Sequence, residues 1–80
     1  MGIKEAVVDR FRSLCQERGI KYNELAAQSG VTPSTVYSMM DPRRKGVNLV
    51  TVKKLCDGVD ITIMEFFTTP VFENLEQEIY

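Results

Sequence analysis

Four times between residues 20 and 66 an apolar residue is followed five positions later by another: Ile20 with Leu25, Val31 with Val36, Val47 with Val52, and Ile61 with Phe66. This is the spacing of a hydrophobic staple, in which the residue before a helix N-cap packs on the fourth residue of the helix. In three of the four pairs the N-cap position holds a side chain that accepts a backbone hydrogen bond: Thr32, Asn48 and Thr62. Thr62 is also followed three residues later by Glu65, which completes a capping box. Lys21 is the exception, because an ammonium has nothing to accept with. The pattern predicts short helices over 22–29, 33–40, 49–58 and 63–67. Ahead of them Ile3, Val7, Phe11, Leu14 and Cys15 form one stripe at helical spacing, and Gly19 offers a left-handed stop, so a longer first helix fills 3–18. The expectation is an all-α fold of five helices in residues 1–67, with a separate amphipathic, acidic tail over 68–80.

Several function classes drop out at once. No apolar run approaches the roughly 18 residues that a membrane span requires. The opening Met1-Gly2-Ile3-Lys4-Glu5 lacks the long uncharged stretch of a secretion signal, so a cytoplasmic protein is expected. Cys15 and Cys56 both fall at apolar helical positions and read as reduced core thiols, a disulfide being the alternative. The sequence has no histidine, which removes the commonest general base and the usual partner in zinc sites and nucleophilic pairs. With no Gly-rich phosphate loop and no clustered carboxylates either, an enzyme, a metal site and a cofactor are not expected. No small-molecule ligand is evident.

The formal net charge of −1 conceals a division along the chain. Residues 1–54 carry all ten basic side chains and five acidic ones, a balance of +5; residues 55–80 carry six acidic and no basic ones, a balance of −6. A basic body suits a polyanion, since each neutralised phosphate releases a counterion. Clustering on solvated helix faces would give the same count.

The connection between the second and third helices is more specific. Gln28-Ser29-Gly30-Val31-Thr32-Pro33 must turn sharply in about four residues, with Gly30 free to take positive φ and Pro33 pre-set for a first helical position. Ala26 is small enough for two helices to approach closely, and Val31 and Val36 fill the inside of the corner.

On these residues the sequence resembles the XRE family of lambda-repressor and Cro-like helix-turn-helix regulators. The resemblance runs through Glu24-Leu25-Ala26, Ser29-Gly30-Val31-Thr32 and Ser34-Thr35-Val36, then Asn48-Leu49-Val50-Thr51-Val52-Lys53-Lys54-Leu55-Cys56 and Ile61-Thr62-Ile63-Met64-Glu65-Phe66-Phe67. It covers about residues 3–67, and Lys53–Gly58 with Glu65-Phe66-Phe67 looks like the short stand-alone members common in Gram-positive bacteria and their mobile elements. The resemblance implies a five-helix lambda-repressor-like DNA-binding domain whose third helix enters the major groove while the second lies across the phosphates. Members act as transcriptional repressors or activators, often as dimers on palindromic sites.

Helix 33–40 then divides into two faces. Val36, Met39 and Met40 form an inward stripe, while Ser34, Thr35, Tyr37 and Ser38 point outward or sideways and Pro33 sits at the tip. Small hydroxyls can pair with several base edges, and Pro33 and the Thr35 methyl can touch a thymine methyl. By their place in the family pattern Pro33, Ser34, Tyr37 and Ser38 are the base-reading positions, with Thr35 beside them. None of these is an Arg, Lys, Asn or Gln, so the bidentate contacts that discriminate best are missing from this helix.

For the DNA backbone the candidates are Lys21, Tyr22, Asn23 and Gln28 on or beside the second helix, and Arg43, Arg44 and Lys45 in the loop after the third. The family often has Ser or Thr at the position of Lys21 and Gln at that of Tyr22; here the Lys21 ammonium and the Tyr22 hydroxyl would have to substitute. The three loop cations are either a phosphate or minor-groove contact or a solvated charge run. In the tail, Val71, Phe72, Leu75 and Ile79 recur at helical spacings after Pro70, and such a segment either packs back on its own domain or pairs with a second copy. The leading expectation is a sequence-specific regulator binding double-stranded DNA, most simply a repressor, with homodimerisation open. The alternative is a protein-interaction module, an antitoxin or adaptor, using the same fold.

Overall fold

The computed structural model describes residues 1–79. Among them the chain forms α1 (Ile3–Arg18), α2 (Tyr22–Ser29), α3 (Pro33–Met40), α4 (Leu49–Gly58) and α5 (Ile63–Phe67), followed by one 3-10 turn, Pro70–Phe72. The caps explain where the helices begin. Thr32, Asn48 and Thr62 accept the N–H groups of Thr35, Thr51 and Glu65 through their side chains. At Lys21 the bond runs the other way: the Lys21 N–H donates to the Glu24 carboxylate at 3.0 Å, so one orphan donor of α2 is still satisfied. Thr62 and Glu65 cap each other, and the Thr62 N–H holds the Glu65 carboxyl below its ordinary pKa.

The staples explain where the core sits. Leu25, Val36, Val52 and Phe66, the second member of each pair, have no solvent exposure, while Ile20, Val31, Val47 and Ile61 lie partly buried against them. Each such side chain taken fully out of water contributes about 1.5–3 kcal/mol. On α1 Phe11 faces this cluster, its ring centroid 4.5 Å from that of Phe66. Arg10 fastens the same contact from outside: its guanidinium donates to the carbonyls of Phe66 and Glu65 at the end of α5. Cys15 and Cys56 are free and buried, as their apolar positions implied. Burial pushes both thiols up, Cys56 to about 11, with Glu24 adding to the effect on Cys15 and Asp57 to that on Cys56.

Three helices end in the same way. Gly19, Gly30 and Asp60 take positive φ of 63°, 69° and 59°. The next residue, Ile20, Val31 or Ile61, then returns its N–H to the carbonyl five residues back, Cys15, Ala26 or Cys56, at 3.0–3.1 Å. The apolar residue that closes one helix therefore opens the staple of the next.

The tail departs from a helix. After the 3-10 turn it runs irregularly back along the start of α1, where the Glu76 N–H donates to the Met1 carbonyl and the Glu78 carboxylate accepts the Ile3 N–H. Phe72 anchors it against Phe66 and Phe67, at ring separations of 5.7 and 4.8 Å. A single short segment behind Pro70 has too few turns to sustain a helix alone, and its backbone groups find partners on α1 instead. Of the two placements open for the tail, this one folds it on its own domain, although Ile79 stays 75% exposed.

One close approach has no signal in the sequence. A Cβ on Gly58 would lie 2.0 Å from the Ser29 hydroxyl oxygen, 2.9 Å from its Cβ and 3.0 Å from its Cα, so α2 and α4 touch there almost backbone to backbone. Alanine would gain about 0.5–1 kcal/mol in helix propensity at this position, but separating two packed helices costs about 1–3 kcal/mol. Gly58→Ala is therefore expected to lower the midpoint of urea unfolding. Asp60→Gly, which relieves a left-handed side chain at a helix stop, is expected to raise stability by about 0.5–1 kcal/mol in the same measurement.

Candidate nucleic-acid interface

The corner between α2 and α3 is built from the residues the sequence marks. Gly30 turns the chain, Val31 closes α2 on the Ala26 carbonyl at 3.1 Å, and Ala26 itself is completely buried where the two helices meet. Pro33 then starts α3. Its inward stripe is Val36, Met39 and Met40, all buried. Pro33, Ser34, Thr35 and Tyr37 are exposed and Ser38 is half-buried. At the helix start the Thr32 hydroxyl lies 3.1 Å from that of Ser34 and 2.9 Å from that of Thr35. Each hydroxyl has one donor and two acceptor positions, so this cluster orders Ser34 and Thr35 and leaves them capacity for an external partner.

On α2, Lys21, Asn23 and Gln28 are exposed and Tyr22 is half-buried. The Tyr22 ring meets that of Tyr37 edge to face, 5.7 Å between centroids at an interplanar angle of 75°. A residue assigned to the phosphates and one assigned to the bases are thus in contact.

The loop after α3 is an ordered element. Lys4, in the first turn of α1, reaches across and donates to the carbonyls of Asp41 at 3.2 Å, Arg44 at 2.6 Å and Gly46 at 3.5 Å. One ammonium supplies three donors and so ties down the backbone of the cationic segment. Sequence reasoning gave Lys4 no role, and no local pattern marks it: its partners lie 37 to 42 residues away. The three loop cations are also unequal. Arg43 forms a forked pair with Asp41, Nε to Oδ1 at 3.1 Å and Nη2 to Oδ2 at 2.8 Å, and its own N–H adds a third bond to Oδ1 at 2.9 Å. These bonds hold the Asp41 carboxyl down at about 2. Arg44 and Lys45 are exposed. Arg44 shares a shallow groove with Thr35 and Ser38 of α3 and with Asn48 and Thr51 at the start of α4. On its other side the loop borders a cleft lined by Lys4, Arg12 and the tail carboxylates Glu76 and Glu78.

The geometry of α2, its tight corner and α3 is that of a helix-turn-helix, and a family comparison agrees. The model of the Cro/C1-type helix-turn-helix DNA-binding domain matches residues 10–71. The chain belongs to the Cro/C1-type helix-turn-helix family. The match takes in all of α2 to α5 and most of α1, and with it the partner class, DNA. Among solved structures the chain is similar to prophage Lp1 protein 11, with 26% sequence identity and a TM-score of 0.80 over 94% of this chain and 100% of that one. No curated protein sequence matches it. Among the described residues no helix is long and apolar enough to cross a membrane, and no group of three His, Cys, Asp or Glu side chains could hold a metal ion.

In this Cro/C1-type domain Asp41 holds the Arg43 guanidinium, so an Arg43 contact with DNA would have to compete with that pair. Asp41→Asn keeps an acceptor for the Arg43 N–H and removes the charge that engages the guanidinium. It is expected to tighten binding to duplex DNA and to steepen the slope of log affinity against log salt by about 0.9, the equivalent of one further phosphate. Titrations at several salt concentrations check this, and an unchanged slope would show that Arg43 does not reach the backbone.

Proposed function

We propose that the protein is a sequence-specific transcriptional regulator, acting as a repressor by placing α3 in the major groove of double-stranded DNA in the cytoplasm. One observation carries this reading: the exposed face of α3 is free of charge, while exposed cations stand on both elements that adjoin it, Lys21 on α2 and, on the loop, Arg44, which lines one groove with Thr35 and Ser38 of α3. An uncharged helix can descend to the groove floor without desolvating an ion, and the cations beside it meet phosphates at the groove edges.

In this mechanism Pro33, Ser34, Thr35, Tyr37 and Ser38 read bases. The hydroxyls pair with base edges, and Pro33 and the Thr35 methyl pack on thymine methyls. Lys21, Tyr22, Asn23 and Gln28 from α2, and Arg43, Arg44 and Lys45 from the loop, hold the backbone and set the register. The Lys4 bonds to the loop carbonyls mean that the loop is ordered before DNA arrives, which lowers the entropy lost on binding. Hydroxyls give weaker discrimination than forked Arg–guanine or Asn–adenine pairs, so affinity rests largely on phosphates and selectivity is moderate. Two copies on a palindromic operator would multiply that selectivity, and sedimentation at micromolar concentration measures whether a dimer forms.

The test is a titration against genomic fragments, including the promoter of the protein's own gene, at two salt concentrations. Binding is expected to prefer some fragments and to weaken steeply with salt. Arg44→Ala and Lys45→Ala should each weaken all fragments alike and lower the salt slope by about one. Ser34→Ala together with Tyr37→Ala should flatten the preference among fragments. Binding with neither fragment preference nor salt dependence would overturn the assignment.

A further inference from the structure

Tyr37 is the only large side chain on the exposed face of α3, and its ring makes an edge-to-face contact with that of Tyr22. Tyr22 occupies the first position of α2 and is packed against the core, whereas Tyr37 is 52% exposed. A ring packed against the core therefore touches a ring that stands out into solvent, at 5.7 Å and 75°. Both values lie within the preferred geometry for aromatic pairs, which are attractive beyond the area they bury. The neighbouring readers, Ser34, Thr35 and Ser38, have short side chains with little reach or rotational freedom. Tyr37 alone on this face needs an external support to hold one orientation.

Resting on the reading of α3 as the base-reading helix, we infer that Tyr22 is a specificity-determining positioning residue whose ring, rather than its hydroxyl, fixes the direction in which Tyr37 meets DNA. A braced ring loses less freedom on binding and presents its edge and hydroxyl to one base step. An unbraced ring samples several and discriminates less. The pair spans α2 and α3, so it couples the helix that lies over the backbone to the helix that reads. This role differs from a phosphate contact through the Tyr22 hydroxyl, and the two are separable because phenylalanine keeps the ring and drops the oxygen.

The experiment selects binding sites from a randomised duplex library with the full chain and with Tyr22→Phe, Tyr22→Leu and Tyr37→Ala. Circular dichroism verifies helical content, and the Tyr37 ring resonances are followed by NMR. Tyr22→Phe should retain the wild-type base preferences and the Tyr37 ring shifts. Tyr22→Leu, which keeps apolar bulk against the core, should move those shifts and flatten preference by about two- to ten-fold at the positions that Tyr37→Ala flattens, leaving the others intact. A Tyr22→Leu variant that is folded, weaker on every site and unaltered in preference would overturn the inference while leaving α3 as the reader. A Tyr22→Phe variant that moves the Tyr37 ring shifts or alters the base preferences would make the hydroxyl, rather than the ring, the positioning group and overturn it too. A wild-type chain that selects no sequence would remove both this inference and the regulatory reading beneath it.

Discussion

The domain depends on a joint used three times, in which one apolar residue closes a helix and opens the next. Ile20, Val31 and Ile61 each follow a left-handed residue, return a hydrogen bond to the carbonyl five residues back, and bury part of their side chain beside the core residue of the following helix. Sharing one residue between stop and staple leaves no slack in the connection, so the angle between successive helices is set within a few residues. In a chain of this length, where few side chains are fully buried, fixing the corners locally lowers the conformational entropy that the core must overcome. The α2–α3 corner, on which the exposed face of α3 depends, is one of these joints.

The charges near α3 and its following loop are each handled differently. Lys4 turns its charge inward onto three loop carbonyls, Arg43 is engaged by Asp41, and Arg44 and Lys45 stay open to solvent. A run of three cations in the sequence is therefore one paired with Asp41 and two exposed, without an ion-pair partner among the described residues. The acidic residues after Lys54 run from the end of α4 through α5 to the tail, where Glu76 and Glu78 bond the start of α1.

Much of this could be read in advance. The helix limits followed from Thr32, Asn48, Thr62 and the four apolar pairs, because a cap and a staple act within six residues. The buried and exposed faces of α3 followed from the register that Val36 imposes, and the burial of Cys15 and Cys56 followed from the apolar positions they occupy. The tail did not follow. Val71, Phe72, Leu75 and Ile79 are spaced for a helix, yet the backbone there bonds to Met1 and Ile3 across the molecule. Periodicity shows which residues could share a face, and it does not show whether a short segment has a better partner elsewhere.

The sequence alone determined the local geometry: where each helix starts and stops, which side of it is apolar, and that a tight corner joins α2 to α3. Caps, stops and staples act between residues at most five apart, so their positions are written in local spacing even though the core supplies most of the stability. The tertiary structure alone decided that Lys4 bonds the backbone of the cationic loop, that Gly58 lies against Ser29, that the Tyr22 ring meets that of Tyr37, and that the tail lies along α1. In each of these the two partners belong to different elements and meet only once the core has packed, so no spacing along the chain encodes the contact.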